Sequence, residues 1–383
     1  MIYFDNSATT RLDDRVRSAM EPYLGPKFGN ASSIHALGRE ARVALETARS
    51  EVARCVGADP AEIVFTSGGT ESDNHAVCGS VFAAHLGGRS FADLSVLTSP
   101  LEHQAILSAV EFVGRLGVRT HLTGVTHDGL AVVDNIPTDL TLTSVMHVNN
   151  EVGSVNDIRS IVASIRVASP TALIHTDAVQ ALGKLRFDVH ELGVDLMTLS
   201  AHKIHGPKGI GALYIRRGVQ IEPLVHGGSQ ERNRRGGTEA VALAVGFAEA
   251  ARLAHDEFDD RTSHIRALRS QLLDGLRAMP EVVLNSPDDD RCVPTIVNLT
   301  LRDDLLRRLE PETLIVRLDL DGIAVSNGAA CTSGSLQPSH VLRAMGRSEE
   351  VATKSIRLSL SKDNTPSDIE AFIRSLKAIV HSA

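Results

Sequence analysis

Lys203 closes the run Leu199-Ser200-Ala201-His202-Lys203 and is followed by Ile204-His205-Gly206-Pro207-Lys208-Gly209. A lysine between an apolar stretch and a Gly/Pro turn suggests a side chain held in a cleft. Desolvation there lowers its pKa and leaves an amine able to attack a carbonyl. An acid ends a second apolar run, in His175-Thr176-Asp177-Ala178-Val179-Gln180. Asp177 either caps the next helix or pairs with a cationic ring nitrogen. Gln180, three residues on, shares its helical face and could reach a neighbouring ring oxygen. In Thr66-Ser67-Gly68-Gly69-Thr70-Glu71 the glycines let backbone N–H groups approach an anion, and Thr70 adds a hydroxyl. A plain capped turn has the same appearance, and the lysine of a P-loop is absent. Met146-His147-Val148-Asn149-Asn150-Glu151 brings two amides and an acid to a fourth place.

One aldehyde cofactor explains all four runs: a lysine for its carbon, an acid for its ring nitrogen, amides for its ring oxygen and a glycine turn for its phosphate. Pyridoxal phosphate has those features. His103, in Pro100-Leu101-Glu102-His103, would place a flat imidazole over the ring and shuttle protons, although alone it reads as a helix-start residue. His202 and His205 lack further ligands at metal-site spacing, so no metal is expected.

The elements that must position these residues alternate. Leu37, Ala41, Leu45, Ala48, Val52 and Val56 form the apolar stripe of a helix starting near Ser33. Short β-rich runs follow at Glu62 to Ser67, Leu94 to Thr98, Leu140 to Val148, Ala172 to Thr176 and Asp195 to Ser200, mostly separated by helix-compatible stretches. That alternation predicts an α/β fold with a mainly parallel sheet covered on both faces, and ligands at the C-terminal ends of its strands. From about Asp259 the order changes to a charged helix, strands near Val282 to Leu284 and Thr295 to Leu301, a helix near Pro311 to Leu320 and a strand at Ser355 to Ser361. The expected division is a large domain over 15–258 and a small α+β domain over 1–14 and 259–383. The acidic run Ser286 to Asp290 reads as a solvated connection.

Composition narrows the function classes. Among 383 residues, 39 Lys+Arg stand against 47 Asp+Glu, a formal net charge of −8, and aromatics make up 3% with no Trp. An acidic, aromatic-poor chain argues against nucleic-acid binding. Neither a secretory leader nor a run of about 20 apolar residues is evident, so a cytoplasmic protein without a membrane span is expected. Cys55, Cys78, Cys292 and Cys331 are widely spaced, with neither a disulfide framework nor a Cys-type zinc site signalled. Cys55 falls on the helical stripe and reads as core. Cys331 instead lies in Ser326-Asn327-Gly328-Ala329-Ala330-Cys331-Thr332-Ser333-Gly334-Ser335, a small, polar run that reads as an exposed loop.

Taken in order, Phe4 to Thr10, Thr66 to Ser72, Glu102-His103, Met146 to Gly153, Asp177 to Lys184, Ser200 to Gly211, Arg235 to Thr238, Ala329 to Ser333 and Ser355 to Arg357 carry a resemblance that runs almost end to end. The chain resembles the cysteine desulfurases of the NifS/IscS type, a branch of the class V aminotransferases with the fold type I pyridoxal-enzyme architecture. The resemblance implies that Lys203 bonds the cofactor's aldehyde carbon, Asp177 pairs with its ring nitrogen and His103 stacks on its ring. Gln180 and Asn150 would face the ring hydroxyl. Gly69, Thr70, Ser200 and His202 would hold the phosphate, joined by Thr238 from the second subunit of a homodimer. Arg357 and Asn30, with Asn150 near them, would receive the substrate carboxylate. L-Cysteine would be the substrate, the Cys331 thiolate would take its sulfur as a persulfide, and alanine would leave.

Gly29-Asn30-Ala31-Ser32-Ser33 stands where the family commonly has Asn-Pro-Ser-Ser, Asn327 where Ser is common, and Gly236 where Ser is common. The chain ends at Ala383, without the extended tail by which housekeeping members dock an iron–sulfur scaffold. An acceptor protein in iron–sulfur assembly, tRNA thiolation or DNA phosphorothioation would take the sulfur. Selenocysteine lyase or another class V pyridoxal enzyme is the alternative activity, and a non-catalytic docking partner a more distant one.

Overall fold

The computed structural model describes residues 1–308, 310, 313–327 and 337–381. Its central feature is a seven-stranded sheet made of β1 (Ile63–Thr66), β2 (Ser95–Thr98), β3 (Arg119–Leu122), β4 (Leu142–Ser144), β5 (Leu173–Asp177), β6 (Leu196–Ser200) and β7 (Gly211–Ile215). The spatial order is β1-β7-β6-β5-β4-β2-β3. β6, β5, β4, β2 and β3 pair in parallel, while β7 runs antiparallel to both its neighbours. The expected mainly parallel α/β sheet is therefore present, with two strands the periodicity did not signal. β7 is a fully buried run beginning at a glycine, and β3 is an edge strand whose residues are mostly exposed. Neither carries the alternating pattern of a half-buried strand.

The other strands of this sheet coincide with the apolar runs expected to hold them, with ends shifted; β5 runs one residue further than expected, to Asp177. Only Leu142–Ser144 of the run Leu140 to Val148 is strand, but the chain beyond it stays bonded to β5: the His147 amide donates to the Asp177 carbonyl at 2.9 Å. Helix α1 (Ala36–Val56) buries Ala41, Leu45, Ala48, Val52 and Val56, and Leu37 lies at its exposed start. It begins after His35, whose ring nitrogen accepts from the Gly38 amide, and ends at Gly57, whose φ of +75° suits glycine.

A second sheet joins β8 (Val282–Leu284), β9 (Ile296–Leu301) and β10 (Ile356–Ser359), all antiparallel. Leu268 and Leu272 of a helix over Phe258–Arg277, Leu299, Leu358 and Phe372 form a hydrophobic core apart from that of the large sheet. The N-terminal segment contributes to this second core. Ile2 and Tyr3 pair in parallel with Ile323 and Ala324, and Phe4 meets Phe372 edge-on at 6.0 Å between centroids. The acidic connection is only partly solvated: Ser286 and Pro287 are buried, whereas Asp288, Asp289 and Asp290 are exposed. Among the described residues, no helix is long and apolar enough to cross a membrane.

Candidate active site

A cavity of about 470 Å³ opens at the C-terminal ends of β5 and β6. It is lined by Gly69, Thr70, His103, Asn150, Asp177, Gln180, Ser200, His202, Lys203 and Arg357, together with Asp73 and the Ser7-Ala8 segment. Strand register accounts for much of this gathering. Asp177, the last residue of β5, lies beside Thr198 of β6, and the chain reaches Ser200 and Lys203 within the next five residues. Adjacent strands are about 4.8 Å apart, so polar residues just past neighbouring ends converge although they are distant in sequence.

Lys203 sits half-buried on the cavity wall. Its Nζ donates to the Ser7 carbonyl at 2.6 Å and to the Ala8 carbonyl at 2.7 Å. Burial lowers its pKa to about 8; Arg357 adds to the decrease, and Asp177 and Asp5 oppose it. Asp177 is buried, and its Oδ1 accepts from the Val179 amide at 2.8 Å, so the local turn and the cavity both use this carboxylate. Burial raises its pKa against the opposing Val179 amide, His103 and Lys203. A cationic ring nitrogen would supply a compensating charge.

His103 caps the helix Gln104–Arg115, accepting from the Ala105 amide at 3.1 Å, and also lines the cavity. Reduced solvation lowers its pKa, opposed by Asp177 and reinforced by Lys203. The Gln180 Nε2 donates to the Ser7 carbonyl at 3.0 Å, while Lys184 donates to Oε1 of the same amide. Since the lysine is only a donor, this contact orients the amide. Burial lowers the Lys184 pKa to about 7, with Lys203 and Arg357 contributing.

The anion-holding corner is built at the start of the helix Gly69–Leu86, where Gly68 has φ +154°. A Cβ on Gly69 would lie 3.0 Å from Val179 Cγ2, so a side chain there would press on the cavity wall. The Ser200 hydroxyl is buried with no hydrogen-bond partner among the described residues. A free hydroxyl beside helix N–H groups suits a phosphate. Burial, followed by nearby Lys203, Lys208 and Lys184, lowers the His202 pKa to about 4, which leaves the imidazole neutral. Its Nδ1 lies 3.2 Å from Thr9 Oγ1. These features fit pyridoxal phosphate: an amine, a buried carboxylate and a phosphate corner face one space.

Arg357 projects from β10 and is only 4% exposed, so it is not a surface ion pair. Its Nη2 donates to Asp5 Oδ1 at 2.7 Å and its Nη1 to the Asn150 carbonyl at 2.9 Å. Two expected site residues do not line the cavity of this chain. Asn30 is exposed and turns its Oδ1 toward the Ser32 amide at 2.8 Å. The exposed Thr238 borders a separate depression with Phe65 and Gly237; nearby, Arg235 pairs with Glu71 at 2.9 Å. Cys331 lies outside the described residues. Burial raises the thiol pKa of Cys55 to about 12 and those of Cys78 and Cys292 to about 11. Cys55 is half-buried against the large core.

Sequence reasoning assigned no part to Asp5, Ser7, Ala8 or Asp73, although Asp5, Ser7 and Ala8 stand in a motif it singled out. Backbone carbonyl contacts leave no side-chain signature. Asp73 is almost fully buried, and its Oδ1 lacks a hydrogen-bond partner among the described residues.

The fold is that of a class V enzyme framework: a model of the family Aminotransferase class-V matches residues 2–372. The chain belongs to that family. It is 41% identical to a protein named Cysteine desulfurase IscS from Dictyoglomus turgidum, covering 99% of this chain and 94% of the relative. A solved NifS-like protein superimposes with a TM-score of 0.91 at 35% identity, with both chains covered in full. SspA, solved in complex with cysteine, gives a TM-score of 0.81 at 33% identity over 95% of this chain and 100% of SspA.

Proposed function

We propose that this chain is a pyridoxal-phosphate-dependent cysteine desulfurase that converts L-cysteine to L-alanine and passes the sulfur to an acceptor protein. The observation that carries the reading is the convergence on one cavity of Lys203, Asp177, Gly69 and the Ser200 hydroxyl, which has no hydrogen-bond partner among the described residues. When bound, the cofactor supplies an electrophilic carbon and a conjugated ring that accepts the electron pair freed at the substrate's Cα.

Asp177 would hold the ring-nitrogen side by charge, and His103 would cover a ring face. Gln180 and Asn150 would face the ring oxygen, while Gly69, Thr70, Ser200 and His202 would hold the phosphate. Lys203, whose pKa burial lowers to about 8, provides the amine that takes the α-proton and returns a proton to the product. Arg357 receives the substrate carboxylate with Asn150 beside it. The Cys331 thiolate attacks the substrate sulfur: a sulfur–sulfur bond forms as the Cβ–sulfur bond breaks, and that bond's electron pair goes to Cβ, which takes a proton to give alanine. Cys331 keeps the sulfur as a persulfide.

Thr238 completes the phosphate site from the second subunit of a homodimer, and Asn30 joins Arg357 at the substrate carboxylate. The substrate sits between a cofactor-binding unit over 15–258 and a small unit over 1–14 and 259–383. The test is to give L-cysteine to purified, cofactor-loaded protein and measure alanine with sulfur bound to Cys331. Their equal appearance supports desulfuration. Absence of both with the cofactor bound to Lys203 would overturn it.

A further inference from the structure

We propose that Asp5 is a positioning residue for substrate recognition, holding Arg357 so that the guanidinium presents N–H groups to the carboxylate of the incoming amino acid. This deepens the reading of Arg357 as the carboxylate receptor and rests on it.

Arg357 comes from β10, far in sequence from the strand ends that carry Lys203 and Asp177, so a long side chain must be aimed across the cavity. An unrestrained arginine samples many rotamers and loses much entropy on binding. Here the guanidinium is tied at two points, by the Asp5 carboxylate at 2.7 Å and the Asn150 carbonyl at 2.9 Å. Its Nε is buried and has no hydrogen-bond partner among the described residues. Guanidinium offers five donors in a rigid plane, so these two contacts fix its orientation without exhausting its capacity. A buried Nε lacking an acceptor is unfavourable, and a carboxylate reaching the cavity would relieve that cost.

The position of Asp5 links this arm to the rest of the site. Two residues later the Ser7 carbonyl accepts from both Lys203 and Gln180, and the next carbonyl, that of Ala8, accepts from Lys203 again. The segment is anchored on the β10 side, where the Ser7 amide donates to Ser359 Oγ at 2.8 Å. A short N-terminal stretch thus touches the lysine and the carboxylate arm together, with Asp5 its charged contact to the arm.

The experiment compares Asp5→Asn and Asp5→Ala with Arg357→Lys in cofactor-loaded protein. Binding of L-alanine and of ethylamine, which lacks the carboxylate, is read from the spectrum of the bound cofactor, alongside KM and kcat for L-cysteine. Misaligning one charge-assisted pair is expected to weaken L-alanine and raise KM about tenfold in Asp5→Asn, leaving ethylamine binding and the unliganded spectrum unchanged. Equal weakening of both ligands would overturn the inference, showing general damage to the cavity. So would unchanged L-alanine binding in both Asp5 variants while Arg357→Lys weakens it. If Arg357→Lys leaves L-alanine binding unchanged, the carboxylate reading of Arg357 fails and the inference fails with it.

Discussion

Lys203 and Ser7, separated by 196 positions, meet with the lysine Nζ 2.6 Å from the Ser7 carbonyl oxygen. The contact gives the free amine a defined place within reach of the cavity. It also ties the turn after β6 to the N-terminal segment that packs with the second sheet.

Replacing Lys203 by Ala should leave a protein that can hold the cofactor but cannot bond its aldehyde carbon. Absorbance spectra before and after borohydride treatment check this: the wild type should retain the cofactor covalently and the variant should release it. Covalent retention by the variant would remove Lys203 from its proposed role.

Capture of the cofactor aldehyde by cofactor-free protein should follow the neutral fraction of Lys203. Burial is the main cause lowering its pKa to about 8, so the proton is lost as pH rises through that value. Below it, the capture rate should fall about tenfold per pH unit. Stopped-flow absorbance between pH 6 and about 9.5 would measure the slope, and a flat profile would contradict the assignment.

Cys331→Ala should abolish alanine formation from L-cysteine and leave the spectrum of the bound cofactor intact. The variant separates sulfur removal from cofactor binding. Undiminished turnover would point to another sulfur acceptor on the chain.

Ser200→Ala removes a hydroxyl of the phosphate corner that is buried without a hydrogen-bond partner among the described residues. A lost hydrogen bond to a charged group is worth about 1.5–3 kcal/mol, so cofactor affinity should fall at least about tenfold. Equilibrium titration of cofactor-free protein reads this directly. Pyridoxal without phosphate should bind the two proteins alike.

Stability depends on a buried pair away from the cavity. Arg49, 2% exposed, grips Glu231 with two hydrogen bonds, and the same carboxylate accepts from the Phe65 amide at 2.9 Å. Glu231→Ala leaves the buried guanidinium with only its longer contacts to Glu46 at 3.4 Å and the Ile63 carbonyl at 3.0 Å, at a cost of about 3 kcal/mol. Denaturant unfolding should show this as a lower midpoint, and an unchanged midpoint would mean that Glu46 compensates Arg49 by itself.

Much of the site was legible because its residues stand at punctuation points. Asp177, Lys203 and the Gly68-Gly69 turn each follow a short apolar run, and parallel-sheet geometry sends such ends to one edge. β7 was not legible, since a buried five-residue run after a turn has no period that distinguishes it. The Arg49–Glu231 pair was equally hidden: an arginine on an otherwise amphipathic helix looks solvated until the segment holding Glu231 covers it.

The sequence by itself determined the α/β alternation, the helix Ala36–Val56 and the set of chemically able side chains, because periodicity and turn residues act over a few positions of chain. Only the tertiary structure decided that Ser7 and Ala8 hold the Lys203 amine, that Arg357 is buried and tied to Asp5, and that Asn30 and Thr238 stand outside this chain's cavity. These are contacts between segments far apart in sequence. They depend on how sheet register and the packing of the hydrophobic cores bring the chain's ends together, which no local pattern encodes.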